Sequence, residues 1–166
     1  WGAGQIDTVV LILDRSASME ARPAGASTPR RAIALEQVSA ALAELGSVRL
    51  VLLDSAGGDP QEVPAPDVLP QLSATAPTDT AADIPALLER AAEFLNEGSP
   101  GRTEVWIASD LQNEDWKPRS ERWQTACAAL AALPQPPPLR LLALTGKPAP
   151  NTSLRVLACR RAAAQL

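Results

Sequence analysis

Apolar positions along the chain fall into two kinds of run. Val9-Val10-Leu11-Ile12-Leu13 is continuous rather than alternating, the pattern of a central parallel strand covered on both faces, and it predicts the first strand. Arg31, Leu35, Val38, Leu42 and Leu45 then trace one side of a helix at spacings of three and four, and Gly46 is placed to stop it. Val48 to Leu53 predicts a second strand. Gly57-Gly58-Asp59-Pro60 reads as a turn into a short edge strand near Glu62-Val63, which Pro64 ends. Residues 64–80 carry Pro64, Pro66, Pro70 and Pro77 among several Ser and Thr, a composition that favours an irregular connection with room for one helical turn.

Ile84, Leu87, Leu88, Ala91, Ala92 and Leu95 match an amphipathic helix closely, with Asp83 as N-cap, Pro85 in the first turn and Gly98 beyond the end. Val105-Trp106-Ile107-Ala108 predicts another buried strand, and Trp123, Ala126, Cys127, Leu130 and Leu133 another helix ending before Pro134. Leu139 to Leu144 and Leu154 to Leu157 supply two more strands. This alternation predicts an α/β fold: an open three-layer α/β/α sandwich around a mostly parallel six-stranded sheet, with one antiparallel edge strand near Val63. No internal repeat is visible, and Pro134-Gln135-Pro136-Pro137-Pro138 is a stiff connector too short to be a domain linker. One domain is expected over 1–159, with 160–166 leading out of it; a start at Trp1 without Met suggests a processed protein or a fragment.

Composition narrows the chemistry. At 166 residues and 46% apolar content, the chain can bury one core. Its 15 Lys and Arg are scattered and outweighed by 19 Asp and Glu, so no basic face is offered to nucleic acid. The apolar runs are far shorter than a membrane span, and no signal segment opens the chain. His and Tyr are absent, which removes the usual general base and every Ser-His or Cys-His nucleophile pair. With no His either, Cys127 and Cys159 cannot build a four-ligand zinc site. An enzyme is therefore not expected.

In open α/β sheets the ligand site lies beyond the carboxyl ends of the strands, where strand order reverses. The first strand leads into Asp14-Arg15-Ser16-Ala17-Ser18-Met19, and the strand through Ile107 into Ser109-Asp110-Leu111-Gln112. Two carboxylates and two hydroxyls thus leave strand ends expected to be neighbours. Such oxygen ligands suit Mg²⁺, Mn²⁺ or Ca²⁺.

The segment Leu13-Asp14-Arg15-Ser16-Ala17-Ser18-Met19 resembles the DxSxS motif of von Willebrand factor type A domains, and Ser109-Asp110 resembles that family's later Asp-bearing strand end. Ala76-Pro77-Thr78-Asp79-Thr80 resembles the loop that carries the family's metal-site Thr, with Ala-Pro in place of the usual glycine-rich lead-in and both Thr78 and Thr80 available for the role. The resemblance runs in the family's element order from Thr8 to Val156. It implies a metal-ion-dependent adhesion site in which Asp14, Ser16, Ser18, Asp110 and a Thr hold a divalent cation, directly or through water. An open coordination position would then take a Glu or Asp carboxylate of a partner protein. A finer resemblance, through Ser109-Asp110-Leu111-Gln112 with Trp116 and through Pro77-Thr78-Asp79-Thr80 before Asp83-Ile84-Pro85, is to bacterial membrane-anchored aerotolerance-regulator (Bat-type) proteins. It implies a parent protein anchored in the inner membrane, with this domain outside the cytoplasm.

Simpler roles compete. Asp14, Ser16 and Ser18 could cap a turn through nearby backbone N–H groups, leaving a metal-free scaffold. An aspartyl-phosphate enzyme would use Asp14 as nucleophile, but the haloacid-dehalogenase pattern requires an Asp where Ser16 stands, and the acidic cluster of a receiver domain is thin at Gln5-Ile6-Asp7. Asp54 reads as a surface residue, and Arg30-Arg31 and Arg160-Arg161 as solvated charges. Trp106 and Trp123 read as core and Cys127 as a buried thiol. Trp116, in a polar stretch, is placed either to rim the site or to cover a helix end.

Overall fold

The computed structural model describes residues 5–98 and 101–146. Five strands form one sheet: β1 (Thr8–Leu13), β2 (Arg49–Asp54), β3 (Gln61–Val63), β4 (Thr103–Ser109) and β5 (Leu139–Ala143), in the order β3-β2-β1-β4-β5. β1 runs parallel to β2 and β4, β5 parallel to β4, and β3 antiparallel to β2. The fold is thus α/β with a mostly parallel sheet of the Rossmann-like class, and among the described residues its one antiparallel strand lies at the predicted edge. The expected sixth strand at Leu154 to Leu157 and the boundary at 160 lie outside the described residues.

The unbroken apolar run of β1 reflects its central place. Val9, Leu11 and Leu13 pack with Ala34, Leu35, Val38 and Leu42 of helix α1 (Arg30–Leu45), while Val10 and Ile12 pack with α2 (Ile84–Gly98) and α4 (Glu121–Ala131). Alternate side chains of one strand therefore enter two separate cores. Each fully buried Leu or Ile contributes about 1.5–3 kcal/mol relative to exposure. α1 stops at Gly46, whose φ of 79° is a conformation that side-chain-bearing residues rarely adopt. The Asp83 carboxylate accepts the Ala86 N–H as the N-cap of α2. Gly98 is the last residue of that helix rather than the one beyond it.

Where one turn was expected, the connection through residues 64–80 contains two short 3₁₀ helices, Pro66–Gln71 and Ser73–Thr75. Its prolines suit short 3₁₀ turns better than a long helix. Leu69 anchors it in the α1-side core, and Ser39 Oγ donates to the Pro66 carbonyl at 2.8 Å. Trp106 is buried as expected. Trp123 and Cys127 are only half-buried on α4, because α4 covers one side of the sheet and leaves part of its own surface to solvent. No described helix is long and apolar enough to cross a membrane.

Candidate metal centre

Strand order reverses at β1: the chain moves to β2 on one side, and β4 enters on the other. The crevice at the carboxyl ends of β1 and β4 is therefore the topological switch point. The registry pairs Leu13 with Ala108, so Asp14 and the Ser109-Asp110 pair leave the sheet side by side. Asp14 is fully buried. Its Oδ1 accepts the Ser16 backbone N–H at 2.9 Å and its Oδ2 accepts the Ser109 hydroxyl at 2.8 Å. The Ser16 and Ser18 hydroxyls lie 3.1 Å apart, and Ser18 Oγ donates to Asp110 Oδ1 at 3.2 Å. Asp14, Ser16, Ser18 and Asp110, 92 residues apart between the last two, thus form one hydrogen-bonded group.

The backbone beyond β4 is bent to serve this group. Leu111 has φ 64°, a left-handed conformation uncommon for a residue with a side chain, and its N–H reaches back to Ser109 Oγ at 3.1 Å. The turn allows Gln112 Nε2 to donate to Asp110 Oδ2 at 3.1 Å and leads into the single-turn helix α3 (Asn113–Trp116). Trp116 Nε1 donates to Ser109 Oγ at 2.9 Å, and its ring meets Trp123 at a centroid distance of 5.5 Å. Trp116 therefore contacts the group around Asp14 through Ser109 and packs its ring against Trp123 in the first turn of α4.

α3 also brings a residue that sequence reasoning did not single out. Asp115 is buried, and one carboxylate oxygen from each of Asp14, Asp110 and Asp115 lies within 4.8 Å of the others. Burial, reinforced by the charges of Asp14 and Asp110, pushes the Asp115 carboxyl up to about 6, although the Ala82 N–H at 3.0 Å favours its ionised form. In the sequence Asp115 looked like one more charge in Asn113-Glu114-Asp115; only the seating of α3 against Ala82 buries it. These three aspartates could hold a metal ion. The donors are all oxygen, with two Ser hydroxyls alongside, and this chemistry fits a hard cation.

Thr78 and Thr80 stand in the loop before α2, where their hydroxyls pair with each other at 3.1 Å. Neither is hydrogen-bonded to Asp14, Ser16, Ser18 or Asp110. The loop is nevertheless tied to the cluster two residues later, through Ala82 and Asp115.

Arg30 and Arg31, expected as solvated charges, are instead part of this end of the sheet or its supports, and so is Arg15. Arg30, with a side chain 12% exposed, donates through one NH1 to Asp110 Oδ2 and the Ser18 carbonyl, each at 3.2 Å. Arg31 binds Glu20 and the Thr75 carbonyl. Arg15, inside the DxSxS segment, pairs with Asp54 and donates Nε to the Ala76 carbonyl at 2.7 Å. Asp54 is 2% exposed rather than a surface residue, because the strand-end turn folds over it: its Oδ1 also accepts the N–H groups of Ala56 and Gly57.

Fold and site together define a Rossmann-like α/β domain with a buried, oxygen-only aspartate cluster at its switch point. No family model and no curated protein matches the sequence.

Proposed function

We propose that this chain is a von Willebrand factor type A-like domain that binds a divalent cation and uses it to hold an acidic side chain of a partner protein. In this reading the sheet is completed by a sixth strand at Leu154 to Leu157 and lies between two helical layers. Asp14, Ser16, Ser18 and Asp110 would hold the ion, with Asp115 beside them and Thr78 or Thr80 supplied by the loop before α2. The observation that carries the reading is the convergence of Asp14, Ser16, Ser18 and Asp110 beyond the adjacent ends of β1 and β4. Mg²⁺ bound among such ligands is a Lewis acid that keeps exchangeable positions, and Mn²⁺ or Ca²⁺ would serve similarly. The protein's part is to fix the carboxylates, present neutral hydroxyls and leave room for a carboxylate from outside. The family resemblance extends the proposal to a bacterial inner-membrane-anchored parent protein with the domain outside the cytoplasm.

A metal-free scaffold is the second reading, favoured by the Thr78–Thr80 pairing and by the guanidinium on Asp110. Calorimetric titration with Mg²⁺ and Mn²⁺, comparing wild type with Asp14→Ala, separates the two. Saturable binding that Asp14→Ala abolishes while the fold survives supports the adhesion-site reading; no binding by the folded wild type leaves the scaffold. Once a partner is in hand, its binding is expected to vanish with chelator. Chelator-insensitive binding would move recognition to Trp116 and the 64–80 loop.

A further inference from the structure

Among the described residues, Arg30 is the only cationic side chain hydrogen-bonded to Asp14, Asp110 or Asp115. We infer that Arg30 is a built-in counter-cation of the cluster, which shares Asp110 with an incoming divalent ion and thereby limits how tightly that ion is held. The inference rests on the metal-binding reading above and adds to it a residue outside the resemblance.

Both oxygens of Asp110 are engaged: Oδ1 by Ser18, Oδ2 by Arg30 and Gln112 at 3.2 and 3.1 Å. An ion bound to this carboxylate therefore competes with a guanidinium for it. These N–H···O contacts sit at the long end of the normal range, so they hold Asp110 without enclosing it. Arg30 Nε, moreover, is buried with no hydrogen-bond partner. A buried donor left unmade is costly, so the guanidinium is not at its best-satisfied position; leaving Asp110 would nonetheless cost it a buried ion-pair partner, which an incoming ion must outcompete. Its room is bounded on another side by Gly146, where an added Cβ would come within 3.3 Å of Arg30 NH2.

Charge decides the direction of the effect. A guanidinium does not release its proton in a protein, so its charge leaves the site only by moving. When the three aspartates are ionised, Arg30 reduces the cluster from three negative charges to two. Replacing Arg30 with a neutral side chain removes both the competitor for Asp110 and a repulsive charge beside the ion, and affinity must rise.

The test is calorimetric titration of wild type, Arg30→Met and Arg30→Lys with Mg²⁺ at neutral pH. Arg30→Met is expected to bind about tenfold tighter than wild type or more, whereas Arg30→Lys, which keeps the charge, stays nearer wild type. Equal or weaker binding by folded Arg30→Met, with wild type still binding, overturns the inference and leaves the metal reading standing. No binding by any of the three proteins overturns both. Should Arg30→Met fail to fold, nitrogen-15 NMR of the wild type decides: the Arg30 Nε–H resonance, assigned by its loss in Arg30→Lys, shifts as Mg²⁺ saturates the site. A resonance that does not move overturns the inference.

Discussion

Two aspartates at strand ends, each facing an arginine, have opposite surroundings. At the end of β2, Asp54 meets Arg15 and two backbone N–H groups, with no second carboxylate among the described residues hydrogen-bonded into the arrangement. At the end of β4, Asp110 meets Arg30 but shares a space of 4.8 Å with Asp14 and Asp115. The first is a neutralised anchor, with three donors on Asp54 Oδ1, that ties β2 to the loop before α2 through Arg15 and Ala76. The second is three acids against one base. A balanced buried pair serves the fold; an unbalanced buried cluster is held together by the fold and could take a cation.

The sharpest break in the comparison comes from removing each acid in turn. Asp54→Ala leaves the Arg15 charge buried without its partner and is expected to cost about 3–5 kcal/mol in urea denaturation, whether or not Mg²⁺ is present. Asp14→Asn keeps an acceptor for Ser16 and relieves like-charge repulsion but sets an amide against the Ser109 hydroxyl, so in chelator its loss should be about 1–3 kcal/mol, smaller than that of Asp54→Ala. Mg²⁺ stabilisation, by contrast, should disappear from Asp14→Asn. Equal behaviour of the two variants would erase the distinction.

pH sharpens it further, because Asp115 titrates near 6 in the folded chain and at its ordinary 3.8 when unfolded. Between those values the folded state carries the extra proton, so in chelator stability should fall as pH rises from about 4 to about 6 and stay low above that. Asp115→Asn is expected to remove this component from the difference between the two denaturation profiles. The same proton opposes an ion, and apparent Mg²⁺ affinity should weaken as pH drops below about 6.

Smaller effects test the supports. Trp116→Phe keeps the ring against Trp123 but deletes the hydrogen bond to Ser109, and a loss of about 1 kcal/mol is expected in denaturation. Thr78→Ala and Thr80→Ala, in the exposed loop before α2, should each change stability by no more than about 0.5 kcal/mol. Their separate Mg²⁺ titrations then identify which hydroxyl serves the ion: that variant alone loses affinity.

Local pattern was enough for everything that depends on which way a residue's neighbours face. β1 is recognisable because a strand covered on both sides must be apolar at every position, and α2 because its apolar residues recur at the helical period. Asp14, Ser16, Ser18 and Asp110 were legible because residues just past parallel strands emerge at one edge, and the order of elements makes β1 and β4 neighbours. The roles of Asp115, Arg30 and Asp54 have no local signature. Asp115 and Arg30 are charged residues in polar stretches and Asp54 is the charged end of an apolar strand, and a contact distant in sequence helps to bury each: Ala82 on Asp115, Asp110 on Arg30, Arg15 on Asp54. Periodicity reports the face a side chain presents to its own element, whereas the charge balance of a site is the sum over elements that meet only when the chain is folded. The sequence determined where a cation could be sought; the tertiary structure decided how many acids surround that place and which base already answers them.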